Sequence, residues 1–368
     1  MDYRYIETSC CHARLALCDT GRREAHAIVG CKDVRLPFAA QIEGILEMAG
    51  KLAADLDMAP VFMRWFLSDA TNQAGALPVA DCASTAVQQP PLDGAKAALW
   101  IVLEAEADYT RTAPGVYSSP RGRIWMGDTP PCGDTAYALT AAYLDKLDAI
   151  LRQRGATMLD HCLRTWFFVR DVDVNYAGVV SGRNDMFARA GLSRDTHFIS
   201  STGIEGRNPD PAVSVSFNAV CDTSLKPGQM RLLYGATHLN PTIEYGVAFE
   251  RGTAVDYADR RHVYISGTAS IDNKGEIVHP GDILGQTERM LENISVLLAE
   301  ADCTTADVAH FIVYLRDTAD YAAVRDIFDT RFPDTPRVIT LAPVCRPGWL
   351  IETECMAVKK LTTDYAAF

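Results

Sequence analysis

The chain has 368 residues, 48% of them hydrophobic and 22% charged, with 47 acidic against 35 basic side chains and a formal net charge of −12. That is an ordinary globular composition with room for two domains, and its acidic excess argues against nucleic acid as a partner, because phosphates need Lys and Arg clustered on one face. Eleven cysteines without a C-x-x-C pair suggest neither a disulfide framework nor a zinc ribbon, and with no leader-like N-terminus and no apolar run of ~18 residues the expected compartment is the cytoplasm, with no membrane partner.

Residues 1 to about 80 carry the short apolar runs ARLALC and PVFMRWFL and one stretch in which Ile42, Ile45, Leu46, Met48, Leu52 and Leu56 recur at helical spacing. Residues 72–94 read as loops ending in Pro90-Pro91, and ALWIVLEAEA as a strand. From Asp134 onward the chain says the same thing twice. Leu144, Leu147 and Leu151 are matched 147 residues later by Leu291, Ile294 and Leu298; WFFVRD is matched by IVYLRD, Tyr176 by Tyr321, and VSVSFNAV by IETECMAV. A repeat this long implies two copies of one domain. Apolar strands alternating with amphipathic helices make each copy a sheet with helices on one face, an α+β architecture divided into 1–222 and 223–368, with the junction between Cys221 and Asp259. Where the second copy has Arg337 and Glu352, the first has the neighbourhood of Phe198 and Ser214, so only the second keeps polar anchors.

Those anchors stand in TPRVITLAPVCRPGWLIETECMAV. Its end alternates as a strand does, with Leu350, Glu352, Glu354 and Met356 on one face, and a carboxylate among apolar residues there is unusual. The Arg346-Pro347-Gly348 turn would bring Arg337, Cys345 and Glu352 toward one end of a sheet. The alternative is a solvated Glu352–Arg346 pair with Cys345 as a small core residue. Arg164, inside the apolar strand of LRTW, needs an anion, either a ligand or an internal carboxylate. Between the copies, a segment rich in Tyr, Arg and Gly is either a binding loop or a linker. His279-Pro280-Gly281-Asp282 is a helix cap at Asp282 rather than a metal site, for it lacks further spaced ligands.

Arg337 followed fifteen residues on by Glu352 in an IExE strand, after HVYISGTASID, HPGDILGQTERMLENISVLLAEA and VAHFIVYLRDTADYAAVRDIFDTRF, resembles the ligand-binding signature of the YjgF/RidA family. With SGTAS, HPGD, LRTW and STGI in one long chain, it resembles the chorismatases of that superfamily. The resemblance implies two tandem YjgF/RidA-like domains, the first degenerate and the second carrying the site. It implies cleavage of the enolpyruvyl ether of chorismate to pyruvate and a hydroxybenzoate or dihydrodiol. Glu352 and Cys345 would then be catalytic, and Arg337, Arg164, Tyr234 and Arg251 would hold the substrate. Cys345, seven residues before Glu352, favours 3-hydroxybenzoate. No metal or organic cofactor is called for, and the single-domain relatives imply a homotrimer. The other activity of the family, hydrolysis of a 2-imino acid, needs only Arg337 and Glu352; a non-catalytic metabolite binder of the same fold is the third expectation.

Overall fold

The computed structural model describes residues 1–368, the side chain of Tyr245 excepted. In chain order the first third forms β1 (Asp2–Glu7), β2 (Cys11–Cys18), β3 (Glu24–Cys31), α1 (Phe38–Leu56), β4 (Ala59–Leu67), α2 (Ala70–Gln73), β5 (Ala83–Gln88) and β6 (Ala97–Glu104). The second forms β7 (Thr110–Ala113), β8 (Val116–Ser118), β9 (Arg123–Met126), α3 (Ala136–Arg152), α4 (Met158–His161), β10 (Cys162–Val169), α5 (Val172–Arg189), β11 (Ser201–Glu205) and β12 (Val215–Asp222). The third forms β13 (Met230–Leu233), β14 (Gly252–Asp256), β15 (Arg260–Ala269), α6 (Ile283–Glu300), β16 (Val308–Leu315), α7 (Tyr321–Arg331), β17 (Arg337–Leu341) and β18 (Ile351–Lys360).

These make three six-stranded mixed sheets of one strand order: β1-β2-β3-β6-β4-β5, β7-β8-β9-β12-β10-β11 and β13-β14-β15-β18-β16-β17. In each, only the pair at the end of that order is parallel: β4/β5, β10/β11 and β16/β17. The α+β class agrees with the sequence reading, but the first 222 residues hold two sheets where one was expected. The physical reason lies in β3, which is buried at every position. A strand covered on one face by a helix and on the other by a neighbouring sheet loses the polar-apolar alternation that marks a strand in sequence. β5 was hidden for a related reason, lying within the stretch that composition assigns to loops.

Helices cover one face of each sheet. Leu144, Leu147 and Leu151 of α3 and Leu291, Ile294 and Leu298 of α6 are all buried, as their matched spacing requires. Asp282 caps α6 by accepting from the backbone of Leu284 and Gly285, both at 3.1 Å. The opposite faces of the sheets meet in a common core, where Phe62 of the first sheet stacks on Trp125 of the second at 4.7 Å and Trp100 lies 4.3 Å from His310 of the third. At one end, Arg22 just before β3 and Arg123 and Arg260 at the starts of β9 and β15 surround the Phe368 ring, at 4.6, 5.2 and 4.7 Å from its centroid. No helix among the described residues is long and apolar enough to cross a membrane.

Candidate functional site

Glu352 enters a pocket between the second and third sheets. Its walls are Tyr176 and Arg183 from α5, Ser201 to Gly203 from β11, Gly267 and Ala269 from β15, and Phe249, Arg251, Cys345 and Trp349 from the third unit's loops. Both walls belong to one chain. The cavity is narrow, about 30 Å³.

Local structure explains why the carboxyl can sit there. Glu352 pairs with Ala269 across β15/β18, next to an irregularity in β15 between Ile265 and Thr268. Gly267 lies in that irregularity, and a Cβ at this position would overlap Glu352 Oε1. Glu352 is only 5% exposed. Burial and the nearby Glu354 carboxylate push its carboxyl up to about 8, against the pull of Arg164 and Arg251. At neutral pH it holds its proton.

Glu354, two residues on and on the same face, is the anchor behind the pocket. It accepts from Arg164 Nη2 at 2.8 Å, Trp166 Nε1 at 2.8 Å, Thr202 Oγ1 at 2.5 Å and Arg64 Nη1 at 3.3 Å. Thr202 also accepts from Arg164 and from the Gly267 backbone N–H at 2.9 Å. Arg164 therefore finds the internal carboxylate that was one of its two expected partners. It is not among the lining residues; it acts on Glu352 through the field and through Thr202 and Gly267.

Cys345 faces the same space. Burial and the charge of Glu352 push its thiol up to about 12, and the Tyr176 hydroxyl bonds to it. A thiol this far from ionising is no nucleophile at neutral pH. Tyr176 is held by close approach to Gly203, where an added Cβ would come within 2.7 Å of the ring.

Cations complete the site. Arg251 donates from Nη2 to the Asn240 carbonyl at 3.0 Å and lies 5.5 Å from the Phe249 ring. Arg346 stacks over Trp349 at 5.5 Å. Arg183 is 1% exposed, 6.0 Å from the Phe249 ring, and its Nε and Nη2 have no hydrogen-bond partner among the described residues. A buried guanidinium with unsatisfied N–H groups facing a void is built to meet an anion.

Of the six expected site residues, Glu352, Cys345 and Arg251 thus share one pocket. Tyr234 does not: it is 50% exposed beside α6, its backbone N–H donating to Glu300 at 3.0 Å. Nor does Arg337, which lines a different cavity and donates to Asp329 and to the carbonyls of Phe332 and Thr335. β17 is two strands from β18 in the sheet, ~10 Å away, so the two residues face different neighbours. The strand ladders also shift the counterparts in the second unit. Phe311 pairs with Arg337 and Cys355 as Thr165 pairs with Ser201 and Ala219, which places Ser201 opposite Arg337 and Ser216 opposite Glu352. Arg183 escaped the sequence reading, though a signal was there. Val172, Val179, Arg183 and Phe187 form one buried stripe of α5, and a charge in an apolar stripe calls for a partner.

Three helix-covered sheets of one strand order, with a buried carboxyl and guanidinium groups lining the seam between two of them, define an α+β protein with a cationic pocket. The profile of the family described as endoribonuclease L-PSP matches residues 252–359. A 3-aminoacrylate deaminase RutC of Acinetobacter baylyi is 34% identical over 97 residues, 26% of this chain and 77% of that protein; a RutC family protein of Pyrococcus abyssi is 36% identical over 101 residues, 27% and 79%. The chain belongs to this endoribonuclease L-PSP family, the YjgF/RidA family. A 3-hydroxybenzoate synthase of Streptomyces hygroscopicus is 26% identical over 297 residues, 70% of this chain and 80% of that protein. A crystal structure of a chorismatase superposes with a TM-score of 0.66 at 18% identity, covering 95% of this chain and all of the other, and so shares its fold.

Proposed function

We propose that this chain is a chorismatase-like enzyme that cleaves the enolpyruvyl ether of chorismate to pyruvate and a hydroxybenzoate, 3-hydroxybenzoate in preference. The observation that carries the reading is Glu352, buried and protonated at neutral pH opposite Arg183 and Arg251. Breaking an enol ether begins with a proton delivered to the terminal carbon of the enol, which leaves an oxocarbenium centre. That step needs an acid still protonated at working pH. The two carboxylates of chorismate need planar, fork-shaped donors, which guanidinium groups supply. Arg183 and Arg251 take the roles first expected of Arg337 and Arg164. The likeness along most of the chain to a 3-hydroxybenzoate synthase supports this substrate over a 2-imino acid. A cytoplasmic location belongs to the same reading. Both walls of the pocket come from one chain, so the reaction does not depend on the homotrimer of single-domain relatives, and velocity per chain should stay constant as dilution dissociates any oligomer.

The test is incubation with chorismate, assay of pyruvate and chromatography of the aromatic product. Pyruvate should appear without added metal or cofactor. Cys345→Val should divert product from hydroxybenzoate toward the dihydrodiol. Pyruvate released only at the uncatalysed rate, together with Glu352-dependent hydrolysis of a 2-imino acid, would replace the reading by the deaminase activity. Gly203→Ala probes the Tyr176–Cys345 contact. The new methyl displaces the ring, and misplacement on the scale of 1 Å is expected to cost about 10²-fold in turnover while the circular dichroism spectrum remains that of wild type.

A further inference from the structure

The inner faces of the three sheets meet around a small cavity of about 10 Å³, room for one water-sized sphere. Its walls include Trp100 from β6, Trp125 from β9, Arg164 and Trp166 from β10, His310 from β16 and Glu354 from β18. None of these residues is more than 3% exposed.

The polar atoms around this cavity are donors in excess of acceptors. Trp166 gives its indole N–H to Glu354 at 2.8 Å, but the indole N–H groups of Trp100 and Trp125, Nη1 of Arg164 and Nδ1 of His310 have no hydrogen-bond partner among the described residues. Indole and guanidinium N–H groups can only donate. Glu354 has little left to offer them. Its two oxygens already accept from Arg64, Arg164, Trp166 and Thr202, and a carboxylate has about four lone-pair sites. His26 stacks on His310 with ring centroids 5.1 Å apart, and both of its ring nitrogens are also unpartnered among the described residues. Burial pushes the His26 imidazole down to about 4, and burial together with His26 holds His310 well below its usual value, so both rings are neutral at neutral pH.

Charge points the same way. Arg64 and Arg164 bring two positive charges against the single carboxylate of Glu354, and Nε and Nη2 of Arg64 have no partner among the described residues either. The excess cation lies among the rings of Trp100, Trp166 and Phe168, where a charge without a counterion is costly. A water molecule would accept from the donor-only groups and leave that charge in place. A monatomic anion would do both.

We propose that the meeting point of the three sheets is a binding site for a small monovalent anion of the halide class, held by the indole N–H groups of Trp100 and Trp125 and by Arg164. The site does not depend on the substrate assigned to the Glu352 pocket. Its donors come from strands of different sheets, so the anion is held by the folded chain alone and stabilises it. Bromide is the probe. Urea unfolding and refolding of the full chain lets the ion equilibrate with the core, with gluconate, which is too large for the cavity, keeping ionic strength constant. Bromide should shift the folding equilibrium toward the native state saturably, by about 100-fold at 100 times its Kd. Trp125→Phe keeps an aromatic ring and removes one donor, and should weaken the apparent bromide affinity by ~10- to 100-fold, the effect of one hydrogen bond to a charged group. Wild-type crystals grown in bromide give a readout that needs no variant: an anomalous peak should stand within hydrogen-bond reach of Nε1 of both Trp100 and Trp125. Equal stability in bromide and gluconate overturns the proposal, as does undiminished bromide dependence in a folded Trp125→Phe, or ordered water alone at the centre of the bromide-grown crystals.

Discussion

Glu352→Gln is expected to lower chorismate turnover by ~10²- to 10⁴-fold while substrate still binds, since it keeps the shape of the side chain and removes the proton. The pH profile gives the sharper test. Wild-type activity should fall as pH rises through about 8, where Glu352 ionises, and the residual activity of the variant should lack that limb. The substitution should act on stability in the opposite sense to its effect on activity. A carboxyl whose folded value lies above the unfolded value of 4.5 contributes in full below that value, and the contribution is lost as pH rises through about 8. Gln never ionises, so at pH 9 the variant should unfold at a higher temperature than wild type, and at pH 4 the advantage should vanish. An activity limb that survives in Glu352→Gln would assign the acid to another group.

Glu354→Gln should cost ~3–5 kcal/mol in unfolding free energy, the penalty for breaking a buried ion pair from one side. Arg64 and Arg164 are fully buried and converge on this carboxylate, Arg64 packed among the rings of Trp100, Trp166 and Phe168 at 4.8–4.9 Å. Without it two guanidinium groups lie uncompensated in a dry core. Urea unfolding reads the loss. A second readout separates this from a generic core defect: Glu354 is one of the causes that raise the Glu352 carboxyl, so its removal should shift the alkaline limb of activity to lower pH. A variant with unchanged stability and an unmoved limb would show that the Arg64–Glu354–Arg164 centre does neither job.

Although β13 and β14 lie in the segment it left as a binding loop or a linker, the sequence by itself determined the third unit from β15 to β18. There, spacing carries the structure: the α6 stripe, the cap at Asp282, the turn at Arg346 to Gly348 and the strand that puts Glu352 on an apolar face are all local, and each stands where its residues require. It also announced Cys345 and Arg251 as companions of Glu352. Tertiary structure decided the rest. Whether the first 222 residues hold one sheet or two was settled by strand pairing and by burial of β3 at every position, which erases the alternation that sequence reading depends on. Which arginine meets Glu352 was settled by strand order. With β16 between β17 and β18, a residue fifteen positions away in sequence faces a different seam, while Arg183 is delivered to the pocket by a helix of another unit. Local patterns follow from short-range sterics and periodicity; the assignment of cations to seams depends on how three similar sheets close around one core, and no local spacing encodes that.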